Sequence, residues 1–170
     1  MKKLLSLFII ATAFTSCDSS VESEKIAGKW LLDDSRFEKG YMAGDQKDYD
    51  LVKQFLDAYE NMDPQGMVDL SAETVKFHPA DAAGVFDVDM TNTDFIVERQ
   101  SNWDSISRNY IFIMPLKMED SKNRVVTTAF TETRYVKDGT SESINFYERL
   151  YINEQDQIMR VVQYSRPPND

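Results

Sequence analysis

The sequence predicts an α+β domain in which N-terminal helices pack on a curved, mainly antiparallel sheet of four to six strands. Three observations carry this. Apolar residues recur at helical spacing over residues 48–62 and again over 91–106. From residue 109 onward the pattern switches to alternation, in runs separated by short polar turns. The chain is 170 residues long with 12% aromatic side chains, enough for one domain with a full core.

The chain opens with Met1-Lys2-Lys3, an apolar stretch over residues 4–14 and then Thr15-Ser16-Cys17. Positive start, short apolar run and small residues predict a secretory signal peptide over residues 1–16. The run is shorter than the roughly 20 apolar residues that cross a bilayer. Cys17, the only cysteine, follows two small residues in a way that resembles the lipobox of bacterial lipoproteins, with Phe14 where Leu, Val or Ile is usual. The expected mature protein begins at a lipidated Cys17 and sits on a membrane of the bacterial cell envelope. A rival cut after Ala11-Thr12-Ala13 would release a soluble protein carrying an exposed free thiol. Residues 17–25, rich in serine and acid, read as a tether.

Residues 26–47 read as an N-terminal extension of a domain spanning 48–168. Ile26-Ala27-Gly28-Lys29-Trp30 resembles the start of lipocalin-like barrels, but the two helices read between 48 and 106 contradict an eight-stranded barrel. Trp30 is expected instead to anchor the extension. Within the domain, Val52, Phe55, Leu56 and Tyr59 form the apolar stripe of the first helix, with Asp48 as expected N-cap. Asp63-Pro64 caps a second, short helix burying Met67. Residues 74–78 alternate as a strand ended by Pro79, and residues 80–90 read as a loop. Thr91-x-x-Asp94 is a capping-box candidate for a helix over 91–106 that faces Phe95, Ile96, Trp103 and Ile106 inward. Four strands follow, over 110–118, 125–136, 142–152 and 158–164, with Asp138-Gly139 as a hairpin turn. Pro115 implies an edge or a bulge in the first of these.

This order resembles the nuclear transport factor 2-like superfamily, particularly its SnoaL-like branch. The resemblance rests on Val52-Lys53-Gln54-Phe55-Leu56-Asp57-Ala58-Tyr59 followed by Met62-Asp63-Pro64, and on the closing Ile158-Met159-Arg160-Val161-Val162-Gln163-Tyr164. Gln155-Asp156-Gln157 stands where a Gly-Lys turn is common. The resemblance implies a cone around an apolar pocket, often in a homodimer, in proteins ranging from isomerases, cyclases and dehydratases to pure binders. The fold does not choose among them.

Composition narrows the field. The net charge is −10, and removing Lys2 and Lys3 leaves 17 basic residues against 29 acidic, or −12. Such a surface excludes nucleic acid as a partner. No cofactor or metal is expected: there is no Gly-rich phosphate loop, no calcium-loop spacing around Asp87-Val88-Asp89, and a single histidine.

That histidine, His78, is the candidate general acid–base, since its ordinary pKa suits proton transfer near neutrality. Its local alternative is a surface side chain beside Pro79. Glu132 and Arg134 share a strand face with Phe130, while Asn145, Tyr147, Arg149 and Tyr151 share a face of the next strand. Such residues line either a cavity or the outer sheet face. Trp103, Tyr110, Arg134, Tyr147 and Tyr164 are the candidate ligand-binding residues. The leading expectation is a lipid-anchored domain that binds a small apolar or amphipathic molecule, or a protein partner, without catalysis. The alternatives are an isomerase, cyclase or dehydratase using His78, with Arg134 or Tyr147 stabilising an enolate oxygen, and a structural dimerisation module.

Overall fold

The computed structural model describes residues 26–122 and 124–168. The signal segment, Cys17 and the tether lie outside the described residues. Eleven elements follow in the order β1 (Gly28–Lys29), β2 (Gly40–Ala43), α1 (Gln46–Glu60), α2 (Pro64–Asp69), β3 (Ser71–His78), β4 (Phe86–Asp89), α3 (Asp94–Gln100), β5 (Trp103–Met118), β6 (Arg124–Val136), β7 (Ser141–Ile152) and β8 (Ile158–Arg166).

The strands form one sheet of eight, in the order β1-β2-β5-β6-β7-β8-β3-β4. Every neighbouring pair is antiparallel except β3 with β8. The sheet is wider than four to six strands because short elements extend both edges. β2 pairs its Tyr41–Ala43 stretch with Met118–Leu116 of β5, and Trp30 packs beside Tyr41 with ring centroids 6.4 Å apart. On the far edge, β4 pairs with β3 inside what reads as a loop. Only Val88 of β4 is buried, so its flanking acids hide the strand pattern while protecting an exposed edge.

α1 forms where the apolar stripe predicts it, burying Val52, Phe55, Leu56 and Tyr59. It starts earlier, with Asp45 as N-cap in extended conformation. Asp48 is not the cap. It is 1% exposed and takes a 2.7 Å ion pair from Arg124 of β6, whose other nitrogen reaches Asp156 at 2.6 Å. The first turn of α1 is thereby tied to the sheet and to the β7–β8 turn. Asp63 does cap α2, accepting from the Gly66 N–H at 3.0 Å.

α3 is shorter than the helix expected over 91–106, and the capping box does not form. Thr91 instead binds the Asp89 carboxylate, and Thr93 is the N-cap. The chain leaves the helix after Gln100, and Trp103 begins β5 opposite Val136. Alternation of Ile106, Arg108 and Tyr110 with Ser105, Ser107 and Asn109 wins here because β6 offers a complete pairing partner.

β5 is 16 residues long and carries register shifts between Trp103 and Ser105 and between Tyr110 and Phe112. Such bulges bend a strand and increase its twist. Pro115 sits where β2 stops pairing, with its carbonyl accepting from Gly44, so β5 is an edge strand before that point. The curled sheet packs its inner face on the helices around Val52, Leu56, Val126, Leu150, Ile152 and Ile158, each at most 2% exposed. Truncating one of these leucines or isoleucines to alanine removes about 2–5 kcal/mol.

Candidate functional site

Helices and inner sheet face do not meet completely. They leave a cavity of about 630 Å³, its open mouth included. Apolar walls come from Phe55, Leu56 and Tyr59 of α1 and Met67 of α2, with Val75 and Phe77 of β3 facing them. Val88, Met90, Phe95 and Ile96 close another side. At one end the lining turns polar. Arg108, Glu132, Arg134, Glu148 and Gln163 arrive there from four consecutive strands, with Arg99 added from α3.

Their convergence follows from the two-residue period of a strand. Glu132 and Arg134 step from buried Phe130, Glu148 lies between Phe146 and Leu150, and Gln163 steps from Val161. Each polar side chain therefore points to the same side as the core. The cross-strand register places Arg108 opposite Glu132 and Glu148 opposite Gln163.

Glu132 is 1% exposed and both its oxygens are used. Oε2 accepts from Arg108 Nε at 2.8 Å and lies 2.6 Å from its Nη2, while Oε1 accepts from Arg134 Nε at 2.7 Å. Arg108 also donates to the Leu56 carbonyl at 3.3 Å, which couples the floor to α1. Its guanidinium lies 4.7 Å from the Tyr59 ring centre and 4.6 Å from that of Phe130. Burial opposes the Arg108 charge, but Glu132 and Glu148 outweigh it, and the pKa is raised. The same balance of burial against Glu132 raises Arg134.

Glu148 differs. It is 2% exposed and, among the described residues, accepts one hydrogen bond, from Gln163 Nε2 at 2.6 Å. Burial pushes its pKa up, against the opposing pull of Arg108 and of the Gln163 bond. The Gln163 Oε1 is buried with no hydrogen-bond partner among the described residues. This end of the cavity thus holds a buried carboxyl of raised pKa, an amide oxygen without a hydrogen-bond partner among the described residues, and two arginines sharing one carboxylate.

The residues singled out by sequence separate. Arg134 lines the cavity. Trp103 does not line it; its ring backs Arg134, whose guanidinium lies 5.1 Å from the ring centre. Tyr110 is on the inner face against Phe130, at 5.6 Å, with its hydroxyl buried beside Arg108. Burial pushes that hydroxyl up to about 12. Tyr147 and Tyr164 are on the outer face, 42% and 59% exposed, with ring centres 6.4 Å apart. They do not meet the cavity. His78 is also absent from its lining. Val75 and Phe77 point in, and His78 alternates to the other side, where burial, Arg160 and Lys76 lower its pKa. Neither a carboxylate nor a tyrosine hydrogen-bonds to it among the described residues. Arg99, Arg108, Glu148 and Gln163 are the polar site residues that sequence reasoning missed.

No family model matches the chain, and no curated protein matches it in sequence. Solved structures do match in shape. A protein from Shewanella denitrificans OS-217 assigned as a SnoaL-like polyketide cyclase superposes with a TM-score of 0.55 at 9% identity, over 72% of this chain and 92% of that one. An LEH-like epoxide hydrolase from M. tuberculosis gives 0.54 at 12% identity, over 71% and 83%. An NTF2-like protein from Burkholderia xenovorans LB400 gives 0.50 at 16% identity, over 73% and 92%. The fold is the NTF2-like, SnoaL-type cone. Identities this low establish the shape and leave the chemistry to the residues described above.

Proposed function

We propose that this chain binds a small molecule with an apolar body and a polar head inside the cone. The observation that carries this is the division of the cavity into apolar walls and one buried polar end. Small-molecule sites have this composition, with a few placed polar groups fixing orientation. Binding rather than turnover is the main reading because Glu132 is fully engaged by Arg108 and Arg134. Native mass spectrometry of the purified full chain tests it. Copurifying or added small molecules should be retained by the wild type and lost when Leu56→Trp fills the cavity. Equal retention by both would place the ligand elsewhere.

A second reading is acid–base catalysis of an isomerase, cyclase or dehydratase type, with Glu148 rather than His78 as the proton-transfer group. Its support is a buried carboxyl of raised pKa beside an arginine, in an apolar cavity. Similar folds include the epoxide hydrolase and the assigned cyclase named above. Turnover abolished by Glu148→Gln and untouched by His78→Gln would establish it.

The setting is proposed on the N-terminal sequence. Residues 1–16 direct export, Cys17 carries a lipid, and residues 17–25 hold the domain at a membrane of the cell envelope. Fatty-acid labelling of the wild type and of Cys17→Ala tests this; equal labelling refutes it. A homodimer is proposed through the outer sheet face, where Phe112, Tyr147 and Tyr164 form a run of ring contacts open to solvent.

A further inference from the structure

The polar end of the cavity is out of balance in charge. Glu132 is one carboxylate serving two guanidiniums, Arg108 and Arg134, whose side chains are 4% and 12% exposed. Other acids near Arg134 and Arg99 lie toward solvent. Glu142, 3.3 Å from Arg134, is 47% exposed, and Asp81, 3.6 Å from Arg99, is 65% exposed. Water screens both of these contacts, so each compensates little of the buried charge. Glu148 is the other buried acid of the lining; it bonds to Gln163 and supports the Arg108 charge without a hydrogen bond to it. No hydrogen bond among the described residues uses Arg134 Nη2. A protein of net charge −10 therefore lines its cavity with three arginines against two glutamates.

A buried charge without a partner is costly, and a ligand of opposite charge relieves the cost as it binds. Low-dielectric walls strengthen that attraction relative to water.

We propose that the cavity takes a small carboxylate with an apolar body, the carboxylate compensating the surplus guanidinium charge of Arg108, Arg134 and Arg99. This rests on the reading of the cone as a binding cavity and adds the charge class of its ligand. An uncharged alcohol of the same chain length fills the apolar walls equally but leaves the arginines uncompensated.

The test is calorimetric titration of the full chain, with Cys17→Ala to leave it unlipidated, using octanoate and octanol as probes. Octanoate is expected to bind at least about tenfold more tightly than octanol, equivalent to about 1.4 kcal/mol. Arg134→Gln should reduce that preference to about threefold or less while octanol affinity stays within a factor of about two. If Arg134→Gln fails to fold, Arg99→Gln serves, because Arg99 is 26% exposed and lies on α3 outside the buried trio. Octanol binding as tightly as octanoate to the wild type overturns the charge assignment and leaves the binding cavity standing. Failure of both probes to bind overturns the cavity reading itself.

Discussion

Glu132→Gln is the substitution whose consequence follows most directly from the geometry. The side chain is 1% exposed, and its two oxygens accept from Arg108 and Arg134 at 2.6–2.8 Å. Glutamine keeps the shape but removes the charge, leaving two buried guanidiniums without the carboxylate they share. Removing one partner of a buried pair costs about 3–5 kcal/mol. Domains of this kind have about 5–15 kcal/mol in total, so a large part of the stability is at stake. With a urea slope of about 2 kcal/mol per molar, the midpoint should fall by roughly 1.5–2.5 M. Adding Arg134→Met removes one of the orphaned cations, so the double variant should be more stable than the two separate losses predict. Octanoate should raise the midpoint of Glu132→Gln more than that of the wild type, since the ligand binds the folded state with its charge uncompensated. A loss below about 1 kcal/mol in Glu132→Gln, with strict additivity in the double variant, refutes the claim that Glu132 holds the two arginines.

Other expectations follow from the same structure. Burial raises the pKa of Glu148 in the folded state, so its ionisation destabilises the fold. Its favourable contribution is complete below the ordinary carboxylate range and is lost as pH rises through the raised value. Thermal midpoints across that range should fall less steeply for Glu148→Gln than for the wild type; parallel curves would contradict this. His78→Gln should leave octanoate affinity within about twofold, because His78 alternates away from Val75 and Phe77; a tenfold loss would place the histidine in the site. Tyr147→Glu combined with Tyr164→Glu should shift sedimentation from dimer to monomer without changing the far-ultraviolet dichroism. An unchanged dimer would remove the outer sheet face from the interface.

Much of the fold was legible because long periodic segments leave little choice. The Val52, Phe55, Leu56, Tyr59 stripe made α1, and the alternation after residue 109 made β6, β7 and β8. The failures lie where tertiary pairing overrides a local pattern. Trp103 and Ile106 sit at spacings that extend α3, yet pairing with β6 pulled them into β5. β4 was hidden by Asp87 and Asp89 around one buried valine. β1 and β2 have too few residues to show a period at all.

The site was less legible for a related reason. Glu132 and Arg134 were placed on one face with Phe130, which is the inner face, but polar residues on both faces of β6 and β7 left the choice between inner and outer open. Aromatic weight favoured Tyr147 and Tyr164, which the register puts outside. The signal that was available lies in the opposite set of β7, where Phe146, Glu148, Leu150 and Ile152 alternate. A lone acid in step with three core-type residues is a buried acid unless the whole strand is turned over. Gln163 in step with Val161 repeats that signature on β8. Arg108 alternates with Ile106 and Tyr110 in the same way, but reading residues 91–106 as helix concealed it.

The central claim is that a ligand enters the cone, and methyl nuclear magnetic resonance with octanoate tests it most directly. Methyl signals of Leu56, Met67, Val75, Ile96 and Val161 line the cavity, whereas Ile111 and Met114 are exposed on β5 outside it. The account predicts saturable shifts confined to the first group, reduced in Arg134→Gln. Shifts confined to Ile111 and Met114, or none at millimolar probe, would contradict it.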